Sequence, residues 1–207
     1  MKDIVKISAI FIFILFNYCS FSQPQGFMEF KIGDSYLSLA IKDYWSSYDL
    51  ETCKVKEIGG FEYRQTQFSG LEYNGYNAGG FLYFIDDILV KIEVWGIFET
   101  NSSHSNGFLV LKNELTSLFD NYNYKLTEED HVKTEIYYWD GNIESKLQYQ
   151  YLNLKNSDFS RPIGFFNKSN FTIIEKSKKK YLDKVNQTEL NGSQGSNNYS
   201  KTKKSKF

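Results

Sequence analysis

The chain has 207 residues, 24 Lys or Arg against 25 Asp or Glu, and an aromatic content of 18%. The near-zero balance conceals a division: residues 23–174 carry 13 basic against 21 acidic side chains, net −8, and residues 175–207 carry nine lysines against three acids, net +6. An acidic body makes nucleic acid an unexpected partner.

Lys2 and Lys6 precede a largely apolar run from Ile7 to Phe16, about half of the roughly 20 residues that a membrane-spanning helix needs. Ser20-Phe21-Ser22 then offers small residues where a signal peptidase binds, so cleavage between Ser22 and Gln23 is predicted. Residues 1–22 are read as a signal peptide and the protein as periplasmic or secreted. Cys19 gives the alternative of lipid anchoring, although the bulky Tyr18 before it departs from the lipoprotein pattern. Cleavage at Gln23 leaves Cys53 as the single cysteine, so the mature chain holds no internal disulfide, and Cys53 is read as a small buried side chain.

In chain order, GDSYLSLAIKDYW predicts a first helix capped by Asp34 or Ser35, with Leu37, Ala40, Ile41 and Tyr44 on its buried face. TCKVKEIG and GFEYRQTQF read as strands, and GFLYFIDDILVKIEVW as a hairpin folded at Asp86-Asp87. A second helix carries Phe108, Leu111, Leu115, Leu118, Phe119 and Tyr122 on one stripe. KTEIYYWDGNIESKLQYQYL predicts a hairpin at Asp140-Gly141, SNFTIIEKS a last strand, and KKKYLDKV a final helical turn. The fold class is therefore α+β: two successive helix-plus-three-strand units, 28–98 and 106–185, forming a largely antiparallel sheet with helices on one face. The domain is set at residues 23–185. Residues 186–207 lack an apolar pattern and are read as a disordered basic tail, whose Lys201, Lys203, Lys204 and Lys206 suit weak contact with an anionic surface.

FKIGDSYLSLAI, FSG and FLYFIDDILVKIEVW resemble small secreted bacterial domains built from repeated helix-plus-antiparallel-sheet units, such as beta-lactamase inhibitory proteins and outer-membrane assembly lipoproteins of the SmpA/OmlA type. The resemblance covers about 70 residues and implies a fold; it carries no site residue with it.

Chemistry-bearing clusters are sparse. Glu128-Glu129-Asp130-His131 is dense in metal-ligating types, but adjacent side chains diverge, and a solvated turn between helix and strand accounts for it. His104 is placed in a polar loop, and Asp86 and Asp87 are explained by turn formation. Gly79-Gly80 is read as a strand end or bulge, and no phosphate-cradling glycine pattern occurs. No catalytic residue, metal site or cofactor is expected. The remaining lead is aromatic: Trp95, Tyr137 and Trp139 are read as rings on an exposed strand face, a candidate interaction surface. The expected function is a non-catalytic protein-interaction module of the cell envelope or secreted space, with a small-ligand or glycan-binding domain as the alternative.

Overall fold

The computed structural model describes residues 23–43, 46–95, 104–129, 132–152 and 168–198. Residues 1–22, read from the sequence as a signal peptide, Asp130, His131 and the lysines from 201 onward lie outside them. The first described residues already belong to the domain, because Pro24 is buried and its carbonyl accepts a hydrogen bond from Ser145 Oγ at 2.7 Å.

A short hairpin of β1 (Gly26–Phe27) and β2 (Phe30–Lys31) leads into helix α1 (Tyr36–Asp43). Ser35 caps that helix, its Oγ accepting the Ser38 amide at 3.1 Å. Four strands follow: β3 (Asp49–Glu57), β4 (Glu62–Tyr73), β5 (Tyr76–Ile85) and β6 (Ile88–Trp95). Helix α2 (His104–Leu118) opens a second series of β7 (Asn123–Glu129), β8 (Val132–Trp139), β9 (Ile143–Leu152) and β10 (Lys168–Glu175). A 3₁₀ turn at Lys176–Lys178 then enters α3 (Lys179–Asn198). The eight long strands form one antiparallel sheet in the order β3-β4-β5-β6-β10-β9-β8-β7. Each series is a meander, and the two join through their fourth strands, so the strand order reads alike from either edge.

Two tight turns set the register of the first meander. Asn74-Gly75 and Asp86-Asp87 all have positive φ, the conformation of a two-residue turn whose twist matches paired strands. Between them the odd and even residues of β5 separate cleanly. Ala78, Leu82 and Phe84 face one core, together with Phe27, Phe30, Leu39, Phe108, Leu111, Leu115, Leu147 and Phe171. Ile85 faces a second core with Ile58, Phe61, Tyr63, Val90, Leu182 and Val185. Central strands that are apolar on both faces need cover on both. Here α1, α2 and the β1–β2 hairpin cover one face, and α3 covers part of the other.

Several expectations are corrected by this arrangement. Helices α1 and α2 each precede four strands rather than three: β3 to β6 follow α1, and after α2 the polar edge strand β7 adds to β8, β9 and β10. Helices lie on both faces, because Leu182 and Val185 of α3 seal the second core. The helix continues to Asn198, and Glu189 binds Lys54 and Lys56 of β3, so the domain extends past residue 185. On α1 the buried face is the other one: Leu39 is fully buried, and the Tyr36 ring meets Phe84 edge-on at 5.4 Å. Leu37 and Ile41 are 64% and 58% exposed. The second stripe holds for Phe108, Leu111 and Leu115, but α2 ends at Leu118, and both Leu118 and Tyr122 are exposed.

Candidate functional site

Strand alternation decides which side chains are available. Tyr137 pairs with Leu147 and Trp139 with Ser145, and all four belong to the face covered by α2. Tyr137 is 6% exposed and lies among Phe108, Tyr122 and Tyr124, with Lys112 Nζ 4.9 Å from its ring centre. The side-chain hydrogen bond with Tyr137 pushes the Lys112 ammonium upward in pKa. Trp139 is 1% exposed, and its indole N–H donates to the Phe119 carbonyl at 2.5 Å. The expectation that these two rings form an exposed surface is therefore overturned. They do lie on the face opposite Ile136 and Tyr138, as alternation requires, but theirs is the core face. Trp95 differs: it sits on the opposite side, half-buried, with its ring centre 5.6 Å from that of Phe81.

On that opposite side the two halves of the sheet are unequal. Over β4, β5 and β6, α3 closes the surface and leaves a cavity of about 290 Å³ lined by Tyr63, Tyr83, Lys91 and Leu182. The Tyr83 hydroxyl donates to Glu93 Oε2 at 3.0 Å, and Lys91 Nζ donates to the same oxygen at 2.8 Å. Burial, reinforced by nearby carboxylates, pushes the Tyr63 and Tyr83 phenols well above their ordinary range, so both stay protonated and act as donors.

Over β7, β8 and β9, no helix lies among the described residues. Ile136 and Tyr138 remain half-buried on this open half and form the floor of a groove of about 530 Å³. Lys125, Lys146, Lys176, Lys179, Asp140 and Glu144 complete its lining. Lys176 is paired with Asp140 and Lys179 with Glu144, contacts that tie the start of α3 to the β8–β9 hairpin. Among the described residues, Lys125 and Lys146 have no carboxylate partner. Register places them symmetrically, since Lys125 is paired with Ile136 from β7 and Lys146 with Tyr138 from β9. With neighbouring strands about 4.8 Å apart and a rise of about 3.4 Å per residue, their Cα atoms lie about 12 Å apart on a diagonal crossing the two floor residues. Flexible four-carbon stems let both ammonium groups reach a ligand resting there.

The other candidates are dispersed. Glu128 and Glu129 are successive residues of β7 and point to opposite faces, so they belong to an edge strand and not to a turn between helix and strand. His104 is the first residue of α2. Asp86 has a structural use, its Oδ1 accepting the Glu62 amide at 2.9 Å. Among the described residues, no three His, Cys, Asp or Glu side chains are grouped to hold a metal ion, and no helix is long and apolar enough to cross a membrane. Cys53 is exposed at a register shift of β3, which corrects the expectation of burial.

The groove escaped sequence reading because Lys125 lies in a strand too polar to register as one. The alternation of Tyr124 and Leu126 with Lys125 and Thr127 was the available signal. Comparison with protein-family models, curated proteins and solved structures found no match for this chain.

Proposed function

We propose that this protein is an exported, non-catalytic binding module of the cell envelope or secreted space, and that the open half of its sheet is the contact surface. One observation carries the reading: α3 seals the sheet over the first meander, whereas the same side of the second leaves Ile136, Tyr138, Lys125 and Lys146 accessible without helical cover among the described residues. Half-buried apolar and aromatic side chains on a sheet braced from behind by α2 form a rigid platform, and rigid rings lose little conformational freedom on binding. The first reading of the target is another envelope or secreted protein.

The test is affinity capture from the producer's envelope fraction with the mature chain from Gln23, followed by affinity measurement with the purified captured protein. Ile136→Ser with Tyr138→Ser is expected to weaken that affinity at least tenfold without unfolding the domain. Leu37→Ser with Ile41→Ser, on the exposed face of α1, is expected to leave it unchanged. The reverse result would place the contact on the helical layer and overturn the reading.

A second reading, a small-ligand-binding domain, is favoured by the groove itself. Its volume of about 530 Å³ falls within the range of ligand sites, roughly 300–1,000 Å³. Trp95 lies on the same side of the sheet but outside this groove, with β10 and β9 between it and Ile136.

A further inference from the structure

We infer that the groove over Ile136 and Tyr138 is a site for a small amphipathic anion, an aromatic or alkyl carboxylate whose apolar body lies on those two side chains. The inference rests on the small-ligand reading and names the ligand's chemical class. The charge distribution points to it. The groove is lined by four lysines against two acids, with Lys125, Lys146, Asp140 and Glu144 coming from the acidic body and Lys176 and Lys179 from the basic segment that follows it. Asp140 and Glu144 are spent on Lys176 and Lys179 at the rim. The uncompensated charge therefore falls on Lys125 and Lys146, which flank the apolar floor from opposite strands.

An isolated surface lysine is ordinary solvation. Two lysines on one sheet face, diagonal across an isoleucine and a tyrosine, present positive charge on both sides of an apolar strip. A carboxylate accepts charge-assisted hydrogen bonds from such ammonium groups, while a ring or chain attached to it covers Ile136 and the Tyr138 ring. A cation would meet net positive charge, and a neutral molecule would forgo the two strongest contacts available.

The experiment titrates the mature chain with naphthalene-2-carboxylate and with its neutral isostere naphthalene-2-carboxamide, read by amide chemical shifts at low and at physiological salt. Saturable one-to-one binding of the carboxylate is expected, with the largest shifts at Lys125, Ile136, Tyr138 and Lys146. The carboxamide is expected to bind about tenfold more weakly, as two partly solvated charge contacts imply, and the difference is expected to shrink as salt rises. Lys125→Gln with Lys146→Gln should erase the preference for the carboxylate. If both probes bind the groove equally, or if the preference survives in the double variant, the anion inference fails and the ligand reading stands. If neither probe shifts the groove residues, both fail.

Discussion

The Trp139 indole N–H donates to the Phe119 carbonyl just past the end of α2, at 2.5 Å, from a side chain that is 1% exposed. This single bond satisfies a carbonyl at a helix terminus and anchors the largest buried ring of the second meander. Trp139→Phe is expected to cost about 1–3 kcal/mol through the lost bond and a partly emptied site, and Trp139→Ala about 3–5 kcal/mol. Urea denaturation of the two variants measures this. An unchanged midpoint for Trp139→Ala would mean that the ring is peripheral and α2 is held by other contacts.

Gly79 and Gly80 separate in their tolerance, although they are neighbours in β5. A Cβ at Gly80 would overlap the Glu93 carbonyl oxygen of β6 and come within 2.7 Å of the Phe68 ring, which is fully buried beside Phe30. At Gly79 the nearest atom is the Phe68 carbonyl oxygen at 3.4 Å, an ordinary contact. Gly80→Ala is therefore expected to destabilise by about 2–3 kcal/mol or to prevent folding, and Gly79→Ala to stay within about 1 kcal/mol of wild type. Equal thermal midpoints for the two variants would sink this account of the close strand approach.

The sequence made the strands legible wherever alternation was strong and both neighbours were apolar. Ile88–Trp95 reads as a paired strand with Asp86-Asp87 as its turn, but a register shift puts Val90 in the second core while Ile92 and Val94 face the first, so the alternation does not assign all three to one face. Asn74-Gly75 is an equally strong turn signal, and it joins β4 to β5 in a hairpin. What alternation alone does not reveal is which of two opposite faces is the core. Tyr137 and Trp139 were separated correctly from Ile136 and Tyr138, yet only the position of α2 decides that the odd set is buried. On α1 the same ambiguity took the opposite form, because the apolar pair Leu37 and Ile41 outweighs Tyr36 and Leu39 in a periodicity count while Tyr36 and Leu39 are the pair that packs. The last half of α3 was illegible for another reason: NGSQGSNN is a poor helix-forming string, and only Leu182, Val185 and the contacts of Glu189 indicate where the helix lies.

Cys53 is open to solvent on the edge strand β3, where a register shift between Thr52 and Lys54 bends the strand. Its Sγ makes one weak contact, to the Glu51 carbonyl at 3.5 Å. The folded chain from Gln23 onward is therefore expected to react stoichiometrically with a soluble aromatic disulfide reagent, at a rate within about tenfold of the same chain unfolded in urea. Modification that proceeds only at the rate of global unfolding would contradict the exposure of this site.

Glu189 joins the middle of α3 to the edge of the sheet, accepting from Lys54 Nζ at 2.9 Å and from Lys56 Nζ at 3.1 Å. Those hydrogen bonds, Lys54 first, hold its carboxyl below the ordinary glutamate value of 4.5. A carboxyl with a lowered folded pKa contributes stability that is fully present above its unfolded pKa and is lost as pH falls through the folded one. All three side chains are about a third or more exposed, so the contribution at neutral pH is expected to reach no more than about 1 kcal/mol. Glu189→Gln should lower the unfolding free energy by that amount at about pH 7, and the gap should narrow below pH 4.5 and close once wild-type Glu189 is protonated. Adding salt to about 0.5 M should also narrow the gap at neutral pH, because these charges are reached by solvent. Urea denaturation of both proteins across this pH range distinguishes the causes. A gap that persists unchanged into acid would assign the effect to helix propensity or packing at position 189, and the two lysines would then have no part in docking α3.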